Sequence, residues 1–137
     1  MQVNTYLNFP GNCEAALHFY EKTLGAQIKF IMPVQGSPIE SDMPPEMASK
    51  VLHASFELAG NTYMASDMSQ DPASGMKGFA MSISTSDPDE AERLFDLLAQ
   101  GGQVTMPLQQ TFWALRFGSL IDQFGTPWMM NCEQPAA

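Results

Sequence analysis

Basic residues are scarce in this chain. Six lysines and arginines stand against fifteen aspartates and glutamates, a formal net charge of −9. Such a surface repels phosphate backbones and anionic lipid, so neither nucleic acid nor a membrane is expected as a partner. Histidine and cysteine are scarcer, with two of each. Cys13 and Cys132 show no CxxC and no zinc-site spacing, and a reduced thiol pair is expected. No run reaches the roughly 20 apolar residues that span a bilayer. The opening MQVNTYLNFPGN lacks the basic start and apolar core of a signal peptide, which makes a cytoplasmic location the expectation. A Ser-His-Asp pattern, a phosphate-binding glycine loop and a nucleophile elbow are all missing.

What is present reads as a folded domain. The 137 residues are 45% hydrophobic, enough chain to bury a core without staples. The first stretch alternates strictly: Val3, Thr5, Leu7 and Phe9 on one face, Asn4, Tyr6 and Asn8 on the other. That is a half-buried strand. Pro10-Gly11-Asn12 ends it, and Asn12 is placed to cap a helix running to about Leu24. Ala16, Phe19, Tyr20 and Leu24 give that helix an apolar face, and Gly25 stops it. A strand follows at Gln27–Met32. Residues 33–49, with four prolines, form a loop that is either a lid or a passive surface excursion. Strands resume at Val51–Leu58 and Thr62–Ser66, joined by a tight turn at Ala59-Gly60-Asn61.

After a loop at Met68–Met76 the plan repeats. Gly78–Ser84 reads as a strand. Asp87-Pro88-Asp89-Glu90 is a helix start, with a capping aspartate, a proline in the first turn and Glu three residues on. That helix reaches about Gln100 and stops at Gly101-Gly102. Strands are expected at Gln103–Met106, Thr111–Leu120 and Pro127–Cys132, the last two joined by the turn Asp122-Gln123-Phe124-Gly125. At an offset of 76 residues, Glu14-Ala15 matches Glu90-Ala91, Phe19 matches Phe95, Gly25 matches Gly101 and Gln27 matches Gln103. Shared residues in a shared order of elements indicate an internal duplication.

The expected fold is therefore α+β: two βαβββ modules, about 1–67 and 76–132, in one 137-residue domain. One such unit leaves a sheet face uncovered. Two units forming a curved mixed sheet, helices on the convex side, would leave a concave cleft built by both halves. The halves would come from one chain or be exchanged between two, and homodimerisation is expected.

Three segments carry a family likeness. YLNFPGNCEAALHFYEKTLGA resembles the first strand and helix of the glyoxalase, bleomycin-resistance and extradiol dioxygenase group, the vicinal oxygen chelate superfamily. LHASFELAGNTYMASD and QQTFWALRFGSLIDQFGTPWMMN resemble its PhnB-like branch. The resemblance implies the paired-module fold and commonly a homodimer, but not an activity, because this scaffold hosts many.

Metal-dependent members of that superfamily hold a divalent ion in the first and last strand of each module. The matching positions here are Asn4 or Thr5, Met64, Phe79 or Ala80, and Met129. Hard and borderline cations want imidazole or carboxylate, whereas thioethers suit soft Cu(I). No metal and no other cofactor is expected.

The resemblance turns the polar face of the first strand inward, so Tyr6 and Asn8 become candidate ligand contacts. Met64, Phe79, Trp113 and Met129 join them as adaptable apolar walls. Arg116 is a candidate anchor for a carboxylate or phosphonate. Alternation puts Trp113 and Leu115 on one face and Phe112, Ala114 and Arg116 on the other, while Trp113 and Trp128 are equally readable as core or dimer interface. His53, on a strand face with Ser55 and Glu57, is a candidate acid or base; Glu57 and Asp67 are weaker catalytic candidates. The leading expectation is a metal-free small-molecule-binding protein, a class that includes drug sequestration of the bleomycin-resistance kind. The alternative is a metal-dependent lyase, isomerase or dioxygenase with a displaced metal site.

Overall fold

The computed structural model describes residues 1–69 and 71–134. Gln70, in the loop expected at Met68–Met76, and residues 135–137 lie outside the described residues. The chain divides after Gly75 into two compact units.

Module one contains β1 (Thr5–Asn8), α1 (Cys13–Leu24), β2 (Gln27–Pro33), β3 (Val51–Leu58) and β4 (Asn61–Ser66). Module two contains β5 (Met81–Thr85), α2 (Pro88–Ala99), β6 (Gln103–Gln109), β7 (Ala114–Ile121) and β8 (Pro127–Glu133). The two sheets have the same plan, β1-β4-β3-β2 and β5-β8-β7-β6. In each, the first strand runs parallel to the last and the other neighbours are antiparallel. Both modules are βαβββ, as the repeated pattern implied. The 76-residue offset survives as geometry: β2 and β6 begin and end 76 apart (103 − 27; 109 − 33), and each helix is followed by a left-handed glycine, Gly25 at φ 74° and Gly101 at φ 72°.

Local chemistry explains each element. Ala59 and Gly60 both have positive φ, 52° and 82°, which matches the twist of a two-residue hairpin closing on the Leu58–Asn61 pair. Asp87 caps α2 by accepting the Asp89 N–H at 3.0 Å. α1 is capped differently from the expectation. The Asn12 side chain makes no capping bond; Asp67, from the end of β4, accepts the Cys13 N–H at 3.0 Å. A distant carboxylate meets the positive end of the helix dipole in its place.

Several boundaries moved. Only Leu7 and Phe9 of the alternating opening are buried, because β1 starts at Thr5 and Val3 and Thr5 remain exposed. The buried face of α1 is Cys13, Ala16, Leu17 and Tyr20, with Phe19 and Leu24 half-buried at its margin. β5 begins at Met81, not Gly78, since Gly78 sits at φ 80° and breaks the extended run. β6 extends to Gln109 through Pro107, tolerated because β6 is an edge strand with an irregular register. β7 begins at Ala114: Thr111 folds back, its N–H bonding to the Ala114 carbonyl and its Oγ1 accepting the Ala114 N–H. Residues 33–49 hold two short 3₁₀ turns, Glu40–Asp42 and Pro45–Met47.

The core of each module lies between its helix and one sheet face. In module one Leu7, Ala54, Phe56 and Ala65 face α1, with the Tyr20 and Phe56 rings 6.3 Å apart. In module two Met81, Leu120, Trp128, Met130 and Cys132 take that side. Trp128 is thereby assigned to the core. Its Nε1–H donates to Asp122 Oδ2 at 2.9 Å, and Asp122 Oδ1 accepts the Phe124 and Thr126 N–H groups that shape the β7–β8 turn.

Candidate functional site

The other face of each sheet carries no helix of its own module, and the sequence dresses it with a distinct set of side chains. Residues directly opposite on adjacent strands share a face. One row across module one reads Tyr6, Met64, Ser55, Phe30 from β1 to β2. The matching row in module two reads Ser82, Met129, Ser119, Met106 from β5 to β6. Both rows have Met then Ser at their centre, and their outer members are 76 apart (82 − 6; 106 − 30). The duplication thus extends to the open face.

In module one the face is aromatic. Tyr6 Oη and His53 Nδ1 lie 3.2 Å apart, and their rings stack at 5.8 Å and 27°. Tyr6 is on β1 and His53 on β3, so the tyrosine leans across β4 to make this contact. Phe30 meets the same imidazole at 5.5 Å and 48°. Tyr6, Phe30 and Met32 remain 41%, 44% and 47% exposed, a large apolar display for one sheet face. Glu57 stands further along β3, in an exposed ion pair with Lys29 at 3.5 Å. Pairs that exposed contribute little to stability.

In module two Phe117 lies on the open face opposite Asn131, and the Trp113 ring packs on it at 5.3 Å and 66°. Phe112, 91% exposed, packs edge-on against Trp113 at 4.8 Å.

Tyr6, Asn8, Met64 and His53 thus share one face of module one, and Met129 lies on the corresponding face of module two. Trp113 precedes β7 and reaches Phe117. Alternation had put Trp113 and Arg116 on opposite faces, and they lie so despite a register shift between Ala114 and Arg116. Arg116 is on the other side. Its cross-strand partner is the core residue Cys132, its Nε donates to Glu92 of α2 at 2.9 Å and its Nη1 to the Leu115 carbonyl at 2.7 Å. The guanidinium serves the helix–sheet contact and is not presented to a ligand on the open face. Phe79 precedes β5 and is exposed. Asp67 is buried with both oxygens engaged, Oδ1 by Cys13 N–H and Oδ2 by Val51 N–H at 2.9 Å. Its carboxylate is buried and organises the backbone at the starts of α1 and β3. Phe30, Met32, Phe117 and Met106 were missed from sequence, although the 76-residue offset pairs Phe30 with Met106.

The positions at which the resemblance would place a metal do not fit one. Met64 and Met129 offer thioethers, and the Asn4 amide donates to the Thr62 carbonyl at 3.0 Å. Phe79 and Ala80 offer no donor atom. Among the described residues no three of His, Cys, Asp and Glu come together. This donor set does not match a hard or borderline divalent cation.

Both cysteines are buried and unpaired with one another. Burial, then the charges of Asp67 and Glu14, push the Cys13 thiol from an ordinary 9.0 to about 12. Burial also raises Cys132, with Arg116 opposing and Asp87 and Glu133 adding. A raised thiol favours the protonated, folded form, so this stabilisation is intact below about pH 9 and is lost progressively as pH climbs towards 12. At pH 8 the native protein is expected to leave a colorimetric disulfide reagent unreacted, and to react at both thiols once denatured. Prompt reaction of native Cys13 would contradict its burial.

Comparison with known proteins agrees with this geometry. The model of the family described as 3-demethylubiquinone-9 3-methyltransferase matches residues 1–131. Protein YjdN of Escherichia coli (strain K12) is 34% identical over 145 aligned residues, covering 98% of this chain and 99% of YjdN. Protein PA1353 from Pseudomonas aeruginosa is 41% identical with a TM-score of 0.86, covering 98% and 99% of the two chains. A PhnB protein from Bacillus cereus is 25% identical with a TM-score of 0.82, covering 96% and 99%. At 10% identity, fosfomycin resistance protein FosX from Listeria monocytogenes shares the fold, with a TM-score of 0.63 and coverage of 98% and 93%. The chain belongs to the family described as 3-demethylubiquinone-9 3-methyltransferase.

Proposed function

We propose that this protein binds a small organic molecule against the open sheet faces of its modules, without a metal ion. The observation that carries the reading is the display of Tyr6, Phe30, Met32 and Met64 on the face of module one that holds His53, with Met129 and Met106 of module two at the positions matching Met64 and Phe30. Aromatic rings and thioethers form adaptable apolar walls, and a few polar atoms among them set orientation. The side chains at the superfamily's metal positions support the metal-free part of the reading. The chain is proposed to act as a homodimer, as its relatives' superfamily commonly does.

The test is a thermal-shift and tryptophan-fluorescence screen with chelator present throughout. The panel combines planar aromatics, aliphatic acids and, because the family description names a methyltransferase, S-adenosylmethionine. A ligand at 100 times its dissociation constant adds about 2.7 kcal/mol to stability, a readily measured rise in melting temperature. Aromatic hits that Tyr6→Ala or Trp113→Ala weakens would support the proposal. A panel without hits, together with near one tightly held ion per chain on titration with Zn, Ni, Mn or Fe(II), would replace it with metal-dependent chemistry.

A further inference from the structure

The Tyr6–His53 pair has more specific chemistry than a patch of apolar surface. The 3.2 Å contact joins Tyr6 Oη to His53 Nδ1, and Nε2 has no hydrogen-bond partner among the described residues. Two proton arrangements satisfy the contact. If the phenol donates to Nδ1, a neutral imidazole carries its proton on Nε2. If Nδ1–H donates to the phenol oxygen, the Tyr6 hydroxyl proton is the one left unengaged. Either way the pair keeps one uncommitted N–H or O–H donor on the open face, flanked by the Tyr6 and Phe30 rings.

The surroundings restrict what that donor can meet. Lys29, at the register shift between Ile28 and Phe30, has its ammonium 3.5 Å from the Glu57 carboxylate, and the chain as a whole carries −9. The field disfavours anions. On the remaining strand of the row, β4 contributes Met64, which is uncharged. A neutral acceptor beside flat apolar surface satisfies all of these conditions.

We propose that module one binds a planar, uncharged aromatic molecule with a carbonyl oxygen on its edge, the rings of Tyr6 and Phe30 contacting its plane and the Tyr6–His53 pair donating to the oxygen. This names the ligand class of the open-face site and rests on the binding function proposed above. It makes His53 a specificity-determining contact.

Coumarin and naphthalene separate the contributions, since both are flat bicycles of similar size and only coumarin has an edge carbonyl. Dissociation constants come from fluorescence or calorimetric titration of the full chain. His53→Phe keeps a ring but removes the nitrogen, and Phe30→Leu keeps bulk but removes the ring. Coumarin is expected to bind at least tenfold more tightly than naphthalene. His53→Phe should erase that preference by weakening coumarin alone, whereas Phe30→Leu should weaken both. Each variant's melting temperature is compared with wild type, so that misfolding is recognised; if His53→Phe does not fold, His53→Leu and Tyr6→Phe supply the comparison. Equal binding of the two probes, or a coumarin preference indifferent to His53 and Tyr6, would overturn this inference and leave the open-face binding function standing. No response to either probe, nor to anything in the wider panel, would remove both.

Discussion

Asp67→Ala is expected to destabilise the protein by about 3–5 kcal/mol, lowering the melting temperature by roughly 10–20 °C. The carboxylate is buried and its oxygens accept the N–H of Cys13, at the start of α1, and of Val51, at the start of β3. Its own N–H bonds to the Val51 carbonyl at 2.9 Å, so one residue ties three segments of module one together. Alanine would strand two buried N–H donors, and each costs about 1–3 kcal/mol when left unsatisfied. It would also remove the negative charge from the helix N-terminus. Asp67→Asn keeps one acceptor oxygen and should lose about half as much. The measurement is thermal and urea unfolding followed by circular dichroism. A loss below about 1 kcal/mol for Asp67→Ala would show that water replaces the carboxylate and that the residue is free for another role.

Gly102→Ala is the second substitution with a large expected cost, about 2–4 kcal/mol. The cause is a neighbour, not backbone conformation. A Cβ at position 102 would press on the Ile121 carbonyl oxygen and stand 2.9 Å from Asp122 Cα. Side chains can swing away, but these are main-chain atoms at the end of β7. Asp122 is itself fixed by the bonds it accepts from Phe124, Thr126 and Trp128. The chain leaving α2 passes this point to place β6 beside β7, and only a residue without a side chain fits. Gly36 is the control. It has positive φ, but a methyl group there would meet nothing within 4 Å, so Gly36→Ala should cost about 1–2 kcal/mol, through strain alone. The same unfolding measurements apply, and equal losses at the two glycines would refute the steric account.

Much of the fold was legible because it is written twice. Alternation in Val51–Leu58, the Asp87-Pro88 helix start and the glycines after both helices are local signals, and they landed where the backbone needs them. The failures were also local in origin but decided at a distance. Asn12 has the right chemistry for a cap, yet Asp67 reached the helix end first from 54 residues away. Counting in twos along β7, by contrast, put Trp113 and Arg116 on opposite faces, where they lie, Trp113 against Phe117 and Arg116 against Glu92 of α2. The candidate site was half visible. Tyr6 stood out by alternation and Met64 by the family resemblance, whereas Phe30 and Met32 lay in a strand read only for its existence. The bond between Tyr6 and His53 joins residues 47 apart on non-adjacent strands, and no spacing rule foretells it.

The strand order also sets a timetable for synthesis. β1 leaves the ribosome first but pairs only with β4, so that Thr5 waits for Tyr63. The hairpin of β3 and β4 closes through a short turn, whereas β1 must close a separation of 58 residues (63 − 5) to reach β4. Until then the underside of α1 has no completed surface to cover, and module one exposes its core to whatever the nascent chain meets. β5 and β8 repeat the delay, with Met81 waiting for Trp128. The repeated strand order gives each module the same long-range closing step.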